Sequence, residues 1–169
     1  MTDAPTAITT RAATDADMPA ISALSARVFG PGRFVRTAYR VREGTPDVSA
    51  FCRVALSGDR IIASIRMTDI AIGGRPGTLL LGPLAVDPDL ANLGYGRRLI
   101  AESIAAATSA GRDMVLLVGD LPYYGRLGFV QVPAGQILFP GPVNAARILV
   151  RELIPGAVGR FHGLVSGEG

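Results

Sequence analysis

A chain of 169 residues with 49% hydrophobic and 18% charged side chains has the size and apolar content of a single domain, residues 1–169, with a substantial core. A lone cysteine excludes an intrachain disulfide, and one cysteine with one histidine makes no familiar zinc set, so no metal is expected. All 17 basic residues are arginine, which removes the lysine of a Walker P-loop and of Schiff-base chemistry; a net charge of +3, scattered along the chain, leaves no footprint for nucleic acid.

No stretch approaches the ~20 apolar residues that a membrane span needs. The longest apolar run, Leu79 to Val86, is interrupted by Gly82 and Pro83. The first ten residues, MTDAPTAITT, lack the basic patch and apolar centre of a secretory signal. The expectation is a soluble cytoplasmic protein with no membrane partner. Codon composition is the simplest source of the arginine bias.

In chain order, Ile8 to Ala12 reads as a first strand. Thr14-Asp15-Ala16-Asp17 offers helix-capping groups, and Met18, Ile21, Leu24 and Val28 follow at helical spacing, up to Gly30-Pro31-Gly32. A second helix is predicted over Arg33 to Arg42. Phe51 to Leu56 and Arg60 to Ile72 are β-rich runs separated by Ser57-Gly58-Asp59, a hairpin signal. The cluster Gly73 to Gly77 turns the chain into a third strand, Thr78 to Val86, predicting an antiparallel meander. After Asp87-Pro88-Asp89, a helix is expected from Tyr95 to Ser109, stopped by Ala110-Gly111, and then a buried strand over Met114 to Val118. That strand–helix–strand block predicts a parallel crossover. One or two helical turns over Tyr123 to Leu127 precede a strand from Phe129. Arg147 to Leu153 reads as the last strand, with a Gly-rich tail from Pro155. The fold class is mixed α/β.

Three features carry chemistry. The segment Ala91-Asn92-Leu93-Gly94-Tyr95-Gly96-Arg97-Arg98 sits between a buried strand and a helix. A helix start offers unpaired N–H groups and positive dipole to a phosphate, and Gly94 and Gly96 let an anion approach closely. Arg97 and Arg98 oppose the dipole there, which makes sense beside a bound anion. A dinucleotide fingerprint would require glycine where Leu99 stands. The second feature is Gly82-Pro83 within the strand leading to that loop. Proline donates no ladder hydrogen bond, so the sheet is expected to splay and leave the backbone of Leu84, Ala85 and Val86 free for an extended ligand. The third is Tyr123-Tyr124-Gly125-Arg126-Leu127-Gly128-Phe129. By themselves, adjacent tyrosines read as packed rings with wet hydroxyls.

In that order these features resemble the GNAT superfamily of N-acetyltransferases. The loop aligns over Ala91 to Gly96 with the family's Arg/Gln-x-x-Gly-x-Gly/Ala motif, and Leu81 to Pro88 looks like its acceptor strand and turn. Gly119-Asp120, Tyr123-Tyr124 and Gly128-Phe129, with Glu152 to Ala157, are similar to a bacterial subgroup of acetyltransferases. The resemblance implies the GNAT acyl-CoA N-acyltransferase fold, a largely antiparallel sheet flanked by helices and splayed at the acetyl-CoA site. It also implies transfer of an acetyl group from acetyl-CoA, the co-substrate, to a primary amine, on a small molecule or a protein. Pantetheine would pair at Leu84 and Val86, the pyrophosphate would lie over amides from Asn92 to Arg97, and Tyr124 would protonate the departing thiolate.

Two departures stand out. Ala91 replaces the arginine or glutamine, and Leu79 to Val86 carries no carboxylate to act as base. Asp120, Asp69 and an ordered water are the candidates, with Asp120 read first as a cap of the following turn. Phe29, Arg33, Arg36 and Tyr39, with Gln131 to Val143, are expected to form the acceptor walls. Two alternatives remain beside amine acetylation, a non-catalytic acyl-CoA-binding module and a transferase for a longer acyl group. Relatives often dimerise, so a homodimer enters as an expectation.

Overall fold

The computed structural model describes residues 7–30 and 37–168, with only the backbone of residues 37–39. Strands β1 (Ile8–Ala12), β2 (Arg53–Ser57), β3 (Arg60–Ile72) and β4 (Arg75–Val86) pair antiparallel in sequence order; β2 to β4 are the expected meander, and β1 adds to its edge. The turn into β4 takes only Gly73 and Gly74, because Ile72 already pairs with Arg75. Helix α1 (Met18–Phe29) and the short α2 (Thr37–Arg42) lie between β1 and β2 in sequence. The expected start of the second helix, Arg33 to Arg36, lies outside the described residues.

Helix α3 (Tyr95–Ser109) has the predicted bounds, and its buried residues explain them: Gly96, Leu99, Ile100, Ser103, Ile104 and Ala107 recur on one face. That face packs on Ile65, Met67, Leu79 and Leu81 of the sheet. Burying each of these Leu or Ile side chains contributes about 1.5–3 kcal/mol before entropy is charged against it. After α3, β5 (Met114–Val118) pairs parallel with β4. Helix α4 (Leu121–Tyr124) follows, and a 3-10 turn at Gly125–Leu127 continues it.

Beyond β6 (Val130–Gln131) and β7 (Ile137–Leu138), β8 (Ile148–Glu152) returns antiparallel to β5 and also holds β6. The Gly-rich tail departs from expectation, because it carries a further strand, β9 (Gly163–Gly167), antiparallel to Ile70–Ile72 of β3. Phe161 and Val165 drive this return. They are 0% and 1% exposed, in a second apolar cluster with Ile70, Leu80 and Leu116.

Two irregularities shape the middle of the sheet. β5 matches β4 only at Thr78, Leu79 and Leu80, so the two strands part beyond Leu80. On the other side of β4 the register slips between the pairs Ile65–Leu84 and Met67–Leu81, which sets Arg66 opposite Gly82 and Pro83. The expected splay is present, at the expected dipeptide.

Candidate active site

The parting of β4 and β5 opens a cleft of about 830 Å³. Leu81 to Leu84 form one side and Leu117 to Asp120 with Tyr124 the other, while α1, α2 and residues 142–147 close over it. Phe29 lines the cleft, as do Pro142 and Val143 at the end of the expected second wall. Arg33 and Arg36 lie outside the described residues, as does the side chain of Tyr39.

Leu84, Ala85 and Val86 pair with Ile65, Ser64 and Ala63 of β3 on one edge, and β5 does not reach their other edge. That edge offers backbone donors and acceptors to an extended molecule, as a missing strand would. At its end, Asp87 is buried and fastens the following loop. Its carboxylate accepts from the Asp89 N–H at 3.0 Å, with Arg60 at 2.9 Å and Arg27 at 3.4 Å above it. The Asp89 hydrogen bond, aided by the two arginines and opposed by burial, holds the Asp87 carboxyl below its usual pKa.

The loop then presents the start of α3. Asn92 has φ +63, and Gly94, the residue before the helix, has φ +89, which glycine adopts without strain. The first backbone bond of the helix runs from the Arg98 N–H to the Gly94 carbonyl at 3.0 Å. The amides of Tyr95, Gly96 and Arg97 therefore precede intrahelical hydrogen bonding. Leu93 is 60% exposed on this loop. Gly96 is buried against β4; a Cβ on it would meet Leu84, Val86 and the Tyr123 hydroxyl, each at 3.5 Å. Open edge and helix start thus adjoin. The two arginines differ: Arg97 is exposed, whereas Arg98 pairs with Glu102 at 3.3 Å and reaches the Thr10 hydroxyl at 3.5 Å.

Tyr124 is partly buried on the cleft wall, edge-on to Tyr123 at 4.8 Å and to Phe129 at 5.7 Å between ring centres. Burial, reinforced by Tyr123 and Asp120 and opposed by Arg147, pushes its phenol up to about 12. It is therefore a neutral proton donor across the physiological range. Asp120 lines the cleft but does not cap α4 through its side chain, contrary to the first sequence reading. It is turned instead to Arg147, 3.5 Å away. Asp69 pairs with Arg112 at 2.9 Å and does not line the cleft. Cys52 is buried and accepts from the N–H groups of Ser49 and Met67, and His162 contacts the Gly159 carbonyl at the surface.

The family model of the acetyltransferase (GNAT) domain matches residues 49–131, from just before β2 through β6. Residues 49–131 therefore carry a GNAT acetyltransferase domain, and the protein is an acyltransferase. Among solved structures, the GNAT family N-acetyltransferase YhbS from Escherichia coli, in complex with CoA, matches with TM-score 0.80 at 24% identity, over 99% of this chain and 93% of that one. A GNAT family acetyltransferase from Brucella melitensis, in complex with acetyl-CoA, matches with TM-score 0.64 at 24% identity, over 85% and 95% of the two chains. The ribosomal-protein-S18-alanine N-acetyltransferase of Escherichia coli gives TM-score 0.62 at 18% identity, over 88% and 95%. At these identities the likeness concerns the fold. No curated protein sequence matches.

Within this GNAT fold the sequence reading missed three contributors. Asp87 was read only as part of a loop, although Asp-Pro-Asp after a strand is a signal for side-chain-to-backbone bonding. Arg42 enters the sequence reading only as the end of the second helix and Arg66 only within a β-rich run; both line the cleft. Only the register slip opposite Gly82 brings Arg66 there, and periodicity does not reveal such a slip. Among the described residues no group of three or more His, Cys, Asp or Glu comes together, and no helix is long and apolar enough to cross a membrane.

Proposed function

We propose that the protein transfers the acetyl group of acetyl-CoA to a primary amine by direct attack on the thioester, with Tyr124 as general acid. The observation that carries this reading is the gap between β4 and β5, with an unpaired β4 edge leading to the start of α3 on one side and Tyr124 on the other. The CoA and acetyl-CoA complexes of two proteins of similar fold support it.

In this reading the pantetheine arm adds to β4 at Leu84 and Val86. The pyrophosphate takes the N–H groups between Asn92 and Arg97, with Arg97 free to add its charge. Arg98 would have to leave Glu102 to contribute. Ala91 gives up one side-chain phosphate contact and leaves the backbone cradle unchanged. The amine nitrogen attacks the thioester carbonyl carbon, the C–S bond breaks, and the Tyr124 hydroxyl gives its proton to the sulfur. The proton shed by the amine passes to water in the cleft, since Asp120 is engaged by Arg147. A phenol raised to about 12 is a weaker acid than free tyrosine. Burial also raises the thiolate's proton affinity above its usual value of about 8.5, so donor and acceptor shift in the same direction.

The test couples calorimetric titration with acetyl-CoA to a thiol-release assay over a panel of small amines and peptide N-termini. Binding with amine-dependent thiol release supports the reading. Absence of acetyl-CoA binding overturns it, and binding without release across the panel favours the non-catalytic module. Longer acyl-CoA donors in the same assay decide chain preference, and sedimentation decides whether a homodimer forms.

A further inference from the structure

Four arginines and two aspartates line the cleft: Arg40, Arg42, Arg66, Arg147, Asp47 and Asp120. Two of the arginines have acidic company. Arg147 meets Asp120 at 3.5 Å, and Arg66 meets Asp47 at 3.9 Å. Arg42 has none. It is 9% exposed, its Nε has no hydrogen-bond partner, and among the described residues no carboxylate is ion-paired with it. Residues 31–39, just before it, contain no Asp or Glu. The charge that does act on it is Arg66, whose own Nε is buried and unpartnered. Burial and this second cation pull the Arg42 guanidinium down to about 9.

The chain is built to admit this charge. A Cβ at Gly82 would stand 2.8 Å from Arg42 Nη2, at φ +126, so glycine is what lets the guanidinium lie against β4 where the strands part. Arg66 comes to the same place from the register slip on β3. A buried cation without a partner is strongly disfavoured, and the Nε–Nη edge of a guanidinium fits two oxygens of a carboxylate or phosphate. The phosphates of CoA do not answer this need, because none of Asn92 to Arg98 lines this cleft.

We infer that Arg42, with Arg66 beside it, forms an oxyanion subsite for the acceptor, which is accordingly a primary amine carrying a carboxylate or phosphate group. The amine rests on the acetyl-transfer reading above, whereas the anion rests on the cleft alone.

The experiment uses the full chain, Arg42→Met and Arg66→Met, with succinate, inorganic phosphate and neutral succinamide as unreactive probes, followed by thermal shift and calorimetry. Succinate or phosphate is expected to raise the wild-type Tm by about 3 °C or more at tenfold saturation, and succinamide to leave it unchanged. Arg42→Met should abolish that gain, and its Tm without probe should equal or exceed that of the wild type, because methionine removes the uncompensated charge. Arg66→Met should weaken probe binding by about 10-fold or more. A response to succinate assigns a carboxylate and a response to phosphate a phosphoryl group. No response to either, an equal response in both variants, or a lower probe-free Tm in Arg42→Met overturns the subsite. Acetyl-CoA titrated in parallel keeps the two readings apart: binding of acetyl-CoA without a probe response removes only the subsite, and the converse removes only the acetyl-CoA reading.

Discussion

The ring of Tyr124 lies directly on the backbone of Gly119: a Cβ at residue 119 would stand 2.6 Å from Tyr124 Cε2 and 2.9 Å from Leu117 Cδ1. The Gly119 N–H donates to the Arg147 carbonyl at 2.9 Å, which fixes the end of β5 against the start of β8. Phe129 meets the tyrosine ring edge-on from another side. The proposed proton donor is thus held by a missing side chain as much as by neighbours. Gly119→Ala should displace the ring by the better part of an ångström and lower turnover by about 10–100-fold, with acetyl-CoA affinity little changed. Parallel kinetics and calorimetry check this, and unchanged turnover would show that the ring position does not matter.

Removing the hydroxyl alone tests the acid itself. Tyr124→Phe keeps both edge-on ring contacts and should lower turnover by about 10²–10⁴-fold while acetyl-CoA binds within about twofold of the wild type. The pH dependence adds a second readout. A general acid must be protonated to act, and with its phenol raised to about 12, Tyr124 holds its proton throughout the range usable for assay. Wild-type turnover should therefore show no alkaline loss from this group between pH 7 and pH ~10, where an ordinary tyrosine of pKa about 10 would be half ionised at the upper end. An alkaline limb in that range, absent from Tyr124→Phe, would place the donor's pKa near the ordinary value and contradict the burial argument.

Much of this site was legible because its parts are local. The period of α3 and its glycine stop give the bounds of that helix, the turn signals give the strands of the meander with starts up to three residues off, as at Thr78 against Arg75, and Gly82-Pro83 marks the splay through the chemistry of proline itself. What stayed hidden depends on chain segments far apart in sequence. β9 is short, glycine-rich and without clear alternation, and it forms because Phe161 and Val165 find a pocket under β3. The place of Arg66 follows from a slip in pairing, and the burial of Arg42 follows from α2 folding over the cleft. The pair of Arg98 with Glu102 is local, an i,i+4 neighbour on one helix face, whereas the reach of Arg98 to Thr10 again joins distant segments.

The contact of α3 with β4 refines the test of the anion loop. Ordinary van der Waals space of 3.5 Å surrounds a Cβ at Gly96, so alanine fits there. Gly96→Ala should retain acetyl-CoA binding within a few-fold. Gly96→Leu must push Leu84, Val86 or the Tyr123 hydroxyl aside, separating the helix start from the open strand edge. Binding is then expected to fall by at least about 100-fold, in keeping with overpacking penalties of about 1–3 kcal/mol together with loss of the cradle. Circular dichroism confirms folding and calorimetry reads affinity; retention of tight binding by Gly96→Leu would move the phosphate site elsewhere.

Acid stability should report a different part of the molecule, the entry to α1. The Asp17 carboxylate accepts from Arg11 Nη1 at 2.7 Å and Nη2 at 2.9 Å, and from the Thr14 N–H at 2.8 Å. The Arg11 hydrogen bonds, with smaller help from Thr14 and against some burial, hold its pKa down at about 2. A folded pKa below the unfolded value of about 3.9 means that the ionised group stabilises the fold at every pH above that unfolded value. The contribution declines as pH falls through that value and is gone once pH drops below the folded one. Asp17→Asn cannot titrate and keeps only a neutral acceptor. It should therefore melt below the wild type at pH 7, and the gap between the two should narrow steadily from pH 4 toward pH 2. Thermal melts of both proteins at pH 7, 4, 3 and 2 measure this gap. A gap that stays constant across those pH values would mean that Asp17 acts through shape and not through its charge on Arg11.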